Sequence, residues 1–238
     1  MLHRLSDLRR RAFSEMSAII ALGTVGLGAL AFLELADETR EGETHAFDTQ
    51  ILLSLRSPND PGDPLGPFWV EQSVLDITAL GGFAVLALMI LAVCSYLLAI
   101  GRRTSALLVA GAVISGTVLS EAMKSLFDRP RPDLVAHLAE TQSASFPSGH
   151  ALVSAVAYLT IAALLARLLP RRRLKALVLT FGIVLTVLIG VSRVYLGVHW
   201  PTDVLAGWSL GAAWAALWWL AAWALQAQGA VDDEPERD

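Results

Sequence analysis

Residues 176–192 read ALVLTFGIVLTVLIGVS, seventeen positions without a charge, set between Lys175 and Arg193. A bilayer core about 30 Å thick takes roughly 20 apolar residues of helix, so a run of this kind, with its flanks, is long enough to cross once. Five further charge-free runs occur, at 16–33, 77–101, 104–120, 151–166 and 204–231. The whole chain of 238 residues is 55% hydrophobic and 17% charged, with a mean hydropathy of +0.56. That balance is too apolar for a water-facing globule of this length, and the clustering of the apolar residues points to spans. The reading is an all-α protein, a six-transmembrane-helix bundle forming a single unit over 1–238.

The same composition excludes disorder, collagen, coiled coil and a disulfide scaffold, because Cys94 is the single cysteine and sits inside the second run. Cys94 reads as a packing residue. Five acids crowd into residues 232–238, so the net charge of −4 reflects a solvated tail at 226–238 and leaves no basic surface for nucleic acid. The basic, apolar and small-residue pattern at the N-terminus imitates a signal peptide. Its long basic part and near-spanning apolar part favour an uncleaved first helix after a cytoplasmic segment, 1–16.

Lys and Arg accumulate in short cytoplasmic loops. With both termini inside, twelve of the eighteen Lys and Arg fall on the inner side, and the outer six are Arg40, Arg56, Lys124, Arg129, Arg131 and Arg193. Trp200 at the outer end of the sixth span and Trp218, Trp219 and Trp223 at its inner end suit aromatic belts, or simply bulky lipid-facing positions. The longest connection, 37–76, is an outer loop. There Phe47, Ile51, Leu52 and Leu55 share a helical face, which predicts a short amphipathic helix lying on the membrane. Pro58, Pro61, Gly62, Pro64, Gly66 and Pro67 are then expected to break regular structure.

Ionisable groups at span ends in a membrane protein mark function by default. Three clusters occur, all on the outer side in this orientation. The first, KSLFDRPRP at 124–132, supplies Lys124 on a helix end and Arg131 between two prolines that limit its reach. This pair suits a phosphate, or equally a cationic helix cap. The second, PSGH at 147–150, places Ser148 as an N-cap and Gly149 where a ligand can approach the backbone, with His150 on the first turn; free N–H groups at a helix start attract anions. Alone it also suits an ordinary helix start. The third runs from Ser192 and Arg193 to His199 and Asp203, four residues apart around Pro201, so that the acid reaches back to the imidazole over one turn. A carboxylate on one ring nitrogen fixes the tautomer and leaves the other as nucleophile or base. Together, three cations, two histidines, one carboxylate and a helix N-terminus suit a doubly charged tetrahedral anion. The neighbouring Lys and Arg side chains argue against a metal ion. Glu121 either holds Lys124 or simply lies at the interface. Arg129 and Asp133 receive no core role.

The three segments resemble the signature of the phosphatidic acid phosphatase type 2 superfamily, which includes membrane lipid phosphatases and soluble vanadium haloperoxidases. Its pattern is Lys, six residues, Arg-Pro; then Pro-Ser-Gly-His; then Ser-Arg, five residues, His, three residues, Asp, and every element is present here in order. The resemblance implies a six-helix bundle and a cofactor-free, metal-independent transfer of phosphate through a phosphohistidine. His199 would be the nucleophile, Asp203 its orienting partner and His150 the acid and base. Lys124, Arg131, Arg193, Ser148 and Gly149 would hold the phosphate oxygens. The implied partners are a lipid phosphate substrate and the surrounding membrane lipids, with no obligate protein partner. The candidate substrates are phosphatidic acid, phosphatidylglycerol phosphate and undecaprenyl diphosphate. A bacterial cytoplasmic membrane, with the site facing outward, is the expected home. The alternatives are a phosphotransferase that uses an alcohol in place of water, a transporter or flippase, and a catalytically silent lipid sensor.

Overall fold

In hydrocarbon every backbone N–H and C=O must find its partner within the protein, which is why long charge-free runs become helices. The computed structural model describes residues 2–139 and 143–227. Among them the order is α1 (Leu2–Glu41), α2 (His45–Ser54), β1 (Arg56–Ser57), β2 (Asp60–Pro64), α3 (Phe68–Ala79), α4 (Phe83–Ala99), α5 (Arg103–Phe127), α6 (Gly149–Leu168), α7 (Arg172–Tyr195) and α8 (Pro201–Ala227). Five of these, α1, α5, α6, α7 and α8, are each long and apolar enough to span. The second expected span, 77–101, is shorter than expected: α4 fills it only from Phe83, and it meets at a 48° bend a further helix, α3, most of which lies in the stretch expected as outer loop, 37–76. The break falls at Leu80, Gly81 and Gly82, where two successive glycines weaken a helix. The chain is a multi-pass membrane protein. Its expected N-terminal segment, 1–16, is helical from Leu2 and continuous with the first span; Met1 and the tail from residue 228 onward lie outside the described residues.

At the centre, α6 packs against α5, α7 and α8, and α1 lies along the outside of α8. Large apolar side chains such as Leu22, Leu27 and Leu30 on α1 and Leu177 and Phe181 on α7 face outward, as lipid contact requires. Between helices in lipid, small residues set how closely backbones approach. Gly207 and Gly211 of α8 lie against Ala151 and Ala155 of α6. A β-carbon at 211 would stand 2.6 Å from the Leu152 carbonyl oxygen, and one at 207 would stand 2.7 Å from that of Ser148.

The outer loop differs from expectation. The short helix forms, as α2, but Leu52 is fully buried against Ala151, Val194, Trp200 and Val204, while Phe47 is exposed. The face that enters the protein also carries Asp48, fully buried and bound to Thr202 and Arg129. An apolar stripe read alone predicts lipid contact; the acid on the same face redirects the helix inward. The proline-rich stretch beyond it forms an antiparallel hairpin, pairing Arg56 with Pro64 and Ser57 with Asp60 across an irregular register. Trp200 is no belt residue: it is buried and donates its indole N–H to the Pro130 carbonyl. Trp218 likewise turns inward, onto Gly111 and Ser115. Cys94 packs as expected, beside Leu97 and Ala106.

Overpacking a close helix contact costs about 1–3 kcal/mol. Gly211→Val is therefore expected to lower the unfolding temperature of the detergent-solubilised protein clearly. Gly23→Ala, where a new β-carbon meets nothing within 4 Å, should leave it unchanged or slightly raised, and equal behaviour of the two would contradict this packing.

Candidate active site

The three clusters come together at one end of the bundle. The last turn of α5 brings Lys124, the extended chain after it brings Arg131, the start of α6 brings Ser148, Gly149 and His150, the end of α7 brings Arg193, and the start of α8 brings Asp203 with His199 just before it. α5 ends at Asp128, which takes the left-handed conformation (φ 42°) that Asp tolerates better than most side chains. α6 starts as expected, with the Ser148 hydroxyl accepting the Ala151 N–H at 3.5 Å. The Ser148 N–H donates to the Asp203 carbonyl at 2.9 Å, joining the two helix starts directly.

His199 and Asp203 are almost wholly buried. His199 Nδ1 lies 3.4 Å from Asp203 Oδ2, a long contact, while its Nε2 faces Arg131 Nη1 at 3.3 Å. Asp203 Oδ2 also accepts the Trp200 N–H at 2.8 Å and the Ser145 hydroxyl at 2.5 Å. Arg131 is held by carbonyls: Nε donates to Ser143 O at 2.8 Å and Nη1 to Val198 O. Lys124 Nζ donates to Ser143 Oγ at 3.0 Å and lies 3.1 Å from where a β-carbon on Gly149 would sit, so a side chain at 149 would press on the lysine's end. Glu121 approaches Lys124 at 3.5 Å from an exposed position, a weak restraint. Arg193, buried, donates to Thr78 Oγ1 of α3 at 2.9 Å, and its Nε has no partner among the described residues. His150 lies within electrostatic reach of Lys124, Arg131, Arg193 and His199, and its ring edge borders Gly81 at the bend between α3 and α4.

Burial pushes His199 down to about 4, against the opposing pull of Asp203 and with the help of Arg131 and Arg193. The imidazole is thus neutral at physiological pH. With Nδ1–H assigned to the carboxylate side, Nε2 carries a lone pair at the head of the cationic cluster. Burial also draws the Arg131 guanidinium below its usual range, opposed by Asp203. Among the described residues no three His, Cys, Asp or Glu side chains gather into a group that could hold a metal ion.

Sequence reasoning missed four residues of this end: Arg129, Ser145, Asp48 and Thr202. Arg129 Nη1 binds Asp203 Oδ1 at 2.6 Å and Thr202 Oγ1 at 2.9 Å, and Nη2 binds Asp48 Oδ2 at 2.8 Å. The doubled Arg-Pro at 129–132 is the signal that marked it. Asp48 lies some eighty residues away, and nothing in the spacing tied it to the site. An open crevice between α5, α6 and α8 lies at the other end of the bundle, lined by residues such as Val109, Thr160, Arg167 and Trp218, with no histidine or acid.

Spanning helices that gather cations around a buried neutral histidine define an integral-membrane protein built to handle an anion. The chain belongs to the PAP2 superfamily, whose pattern it matches over residues 105–227. It is similar to phosphatidylglycerophosphatase B of Bacillus subtilis (strain 168), 37% identical over 144 residues, 60% of this chain and 70% of that one. It is also similar to an undecaprenyl-diphosphatase of Sulfolobus acidocaldarius, 45% identical over 67 residues, 28% of each chain. In structure it resembles the transmembrane PAP2-type phosphatidylglycerolphosphate phosphatase of Bacillus subtilis, with a TM-score of 0.72 and 32% identity over 84% of this chain and 95% of that one. The protein is a membrane phosphatase of this superfamily.

A free imidazole titrates near about 6.5. Between there and about 4 the unfolded chain binds a proton that folded His199 refuses, so stability is full above the upper value and falls on acidification through this window. The loss attributable to His199 is on the order of 3 kcal/mol at its lower end. The unfolding temperature in detergent should drop between pH 6.5 and 4.5, and His199→Gln should flatten part of that drop; superimposable pH profiles would contradict a buried neutral imidazole.

Proposed function

We propose that residues 1–238 act as one lipid phosphatase of the bacterial cytoplasmic membrane, with both termini in the cytoplasm and the site at the outer face. The observation that carries this reading is the convergence, at one end of the bundle, of Lys124, Arg131, Arg193 and the α6 N-terminus around His199 and its partner Asp203. The charge bias of the loops supports the orientation. A site at helix ends favours headgroup chemistry over transport, because transporters place ionisable groups near the bilayer midplane.

His199 Nε2 attacks phosphorus as the bond to the lipid oxygen breaks, and His150 donates its proton to that oxygen. Lys124, Arg131 and Arg193, with the Ser148 hydroxyl and the Gly149 N–H, hold the other phosphate oxygens as their charge redistributes. The substrate's oxygens take over the Arg131 donor that faces Nε2. In the second step His150 takes a proton from water, the water oxygen bonds to phosphorus and the P–N bond to His199 breaks. The reaction balances without a metal or cofactor. A lipid monophosphate such as phosphatidylglycerophosphate, or an isoprenoid diphosphate, reaches such a site by lateral diffusion; the activities named for the similar proteins support both classes.

A phosphate-release screen of the detergent-solubilised protein over phosphatidic acid, phosphatidylglycerophosphate and undecaprenyl diphosphate should find turnover that persists in EDTA. His199→Ala should lower it to background while the protein still inserts and purifies. Near-normal turnover by that variant, or loss of activity on chelation, would overturn the mechanism. Cysteine labelling from outside intact cells should reach a Cys placed at 59 in the hairpin and spare one placed at 171; the reverse pattern would invert the orientation.

A further inference from the structure

Arg129 has no place in the phosphate cradle, yet it is held by two buried carboxylates. Its two terminal nitrogens are shared between two fully buried carboxylates, Asp203 Oδ1 at 2.6 Å and Asp48 Oδ2 at 2.8 Å. Thr202 and Thr44 add hydroxyl contacts at 2.9 and 3.4 Å, and the guanidinium sits 5.6 Å over the Trp200 ring. Asp48 is anchored in turn, accepting the Thr202 N–H at 2.9 Å and the Thr202 hydroxyl at 2.7 Å. Buried ion pairs are poor sources of stability, since apolar residues of similar volume often do as well. The pair here ends on the carboxylate that faces His199.

That carboxylate has a division of labour. Oδ1 belongs to Arg129, while Oδ2 receives Trp200 N–H, Ser145 O–H and the imidazole. Rotation of the carboxylate would break the Arg129 contact, so the guanidinium fixes which oxygen meets Nδ1. Its charge also matters: an uncompensated buried carboxylate beside His199 would hold a proton on the ring and occupy the lone pair that must attack. We propose that Arg129, anchored by Asp48 of α2, is a positioning residue for the nucleophile, locking Asp203 with Oδ2 toward His199 and offsetting its charge so that the imidazole enters the reaction neutral.

This rests on the reading of His199 as nucleophile. The charged and titratable groups around the pair are Arg131 and Lys124 from α5 and its extension, His150 from α6, Arg193 from α7 and, on α2, Asp48 and His45, whose ring meets Trp200. Removing Arg129 leaves Asp203 uncompensated and raises the pH at which His199 loses its proton. Removing the charge of Asp48 leaves Arg129 to Asp203 alone and shifts it the other way or not at all. A purely architectural role for the network predicts neither shift.

The test uses the full chain in detergent with a short-chain phosphatidic acid, comparing the acid limb of kcat/KM, which reports the free enzyme. Substrate ionisation is common to all variants and cancels in the comparison. Arg129→Gln should lower kcat about 10²-fold, the scale set by small misplacement of a reacting group. KM should stay within about threefold. Its acid limb should move to higher pH, and Arg129→Lys should restore part of the rate, since an ammonium offsets the charge without bridging both acids. Asp48→Asn should move the limb to lower pH or leave it, with the smaller loss of rate. Should Arg129→Gln not fold, Arg129→Lys carries the test through a kcat that should still fall below wild type with KM unchanged, since it cannot bridge both acids, and Asp48→Asn through a limb that must not rise. An acid limb that does not move in Arg129→Gln, that moves upward in Asp48→Asn, or a rise in KM with kcat intact overturns the inference. His199→Ala is run alongside: if it turns over normally, the nucleophile reading fails and this proposal with it; if it is inactive while Arg129→Gln shows no shift, the proposal alone fails.

Discussion

Where α6 and α8 cross, their backbones approach so closely that no side chain fits on α8 at 207 or 211. Everything polar at the upper end of the bundle follows from that contact. It brings the first turn of α6 beside the first turn of α8, so that the Ser148 N–H reaches the Asp203 carbonyl. Packing of α5 and α7 on α6 and of α2 on α8 then closes Lys124, Arg193 and Asp48 around the same point. A bundle held apart by leucines would keep the same residues and lose their meeting.

The buried charges at this end are arranged in two layers with opposite logic. Among the described residues, the cations around His199, Lys124, Arg131 and Arg193, have no carboxylate partner apart from the distant touch of Glu121, and are held by hydroxyls and carbonyls. Such dipoles orient a cation without neutralising it, which leaves the cluster open to an anion. In the second group Arg129 bridges the two carboxylates of Asp203 and Asp48. In the proposed reading the first group meets the phosphate and the second supports the histidine.

The six runs, the N-cap at Ser148 and the meeting of the three clusters were legible because each rests on local chemistry: charge-free length, a capping hydroxyl, a histidine and acid one turn apart. What escaped was non-local or context-dependent. Leu52 and Phe47 share a stripe, but which of them enters the core is decided by Asp48 finding Arg129, a partner far along the chain. Trp200 looks like an interface aromatic until Pro130 offers a carbonyl to its indole. The bend between α3 and α4 lies within one uninterrupted apolar run, where only the paired glycines at 81 and 82 mark it. Periodicity records which faces are apolar and is silent about which partner covers them.

The support layer joins position 48 to position 202, so its two halves emerge from the ribosome at opposite ends of synthesis. Until the final helix enters the bilayer, Asp48 and Arg129 have each other but no Thr202 or Asp203, and the imidazole lacks its carboxylate. A chain cut short before α8 is therefore inert as well as incomplete, and competence arrives in a single late stage of biogenesis, when the last segment slots against the groove of small residues on α6.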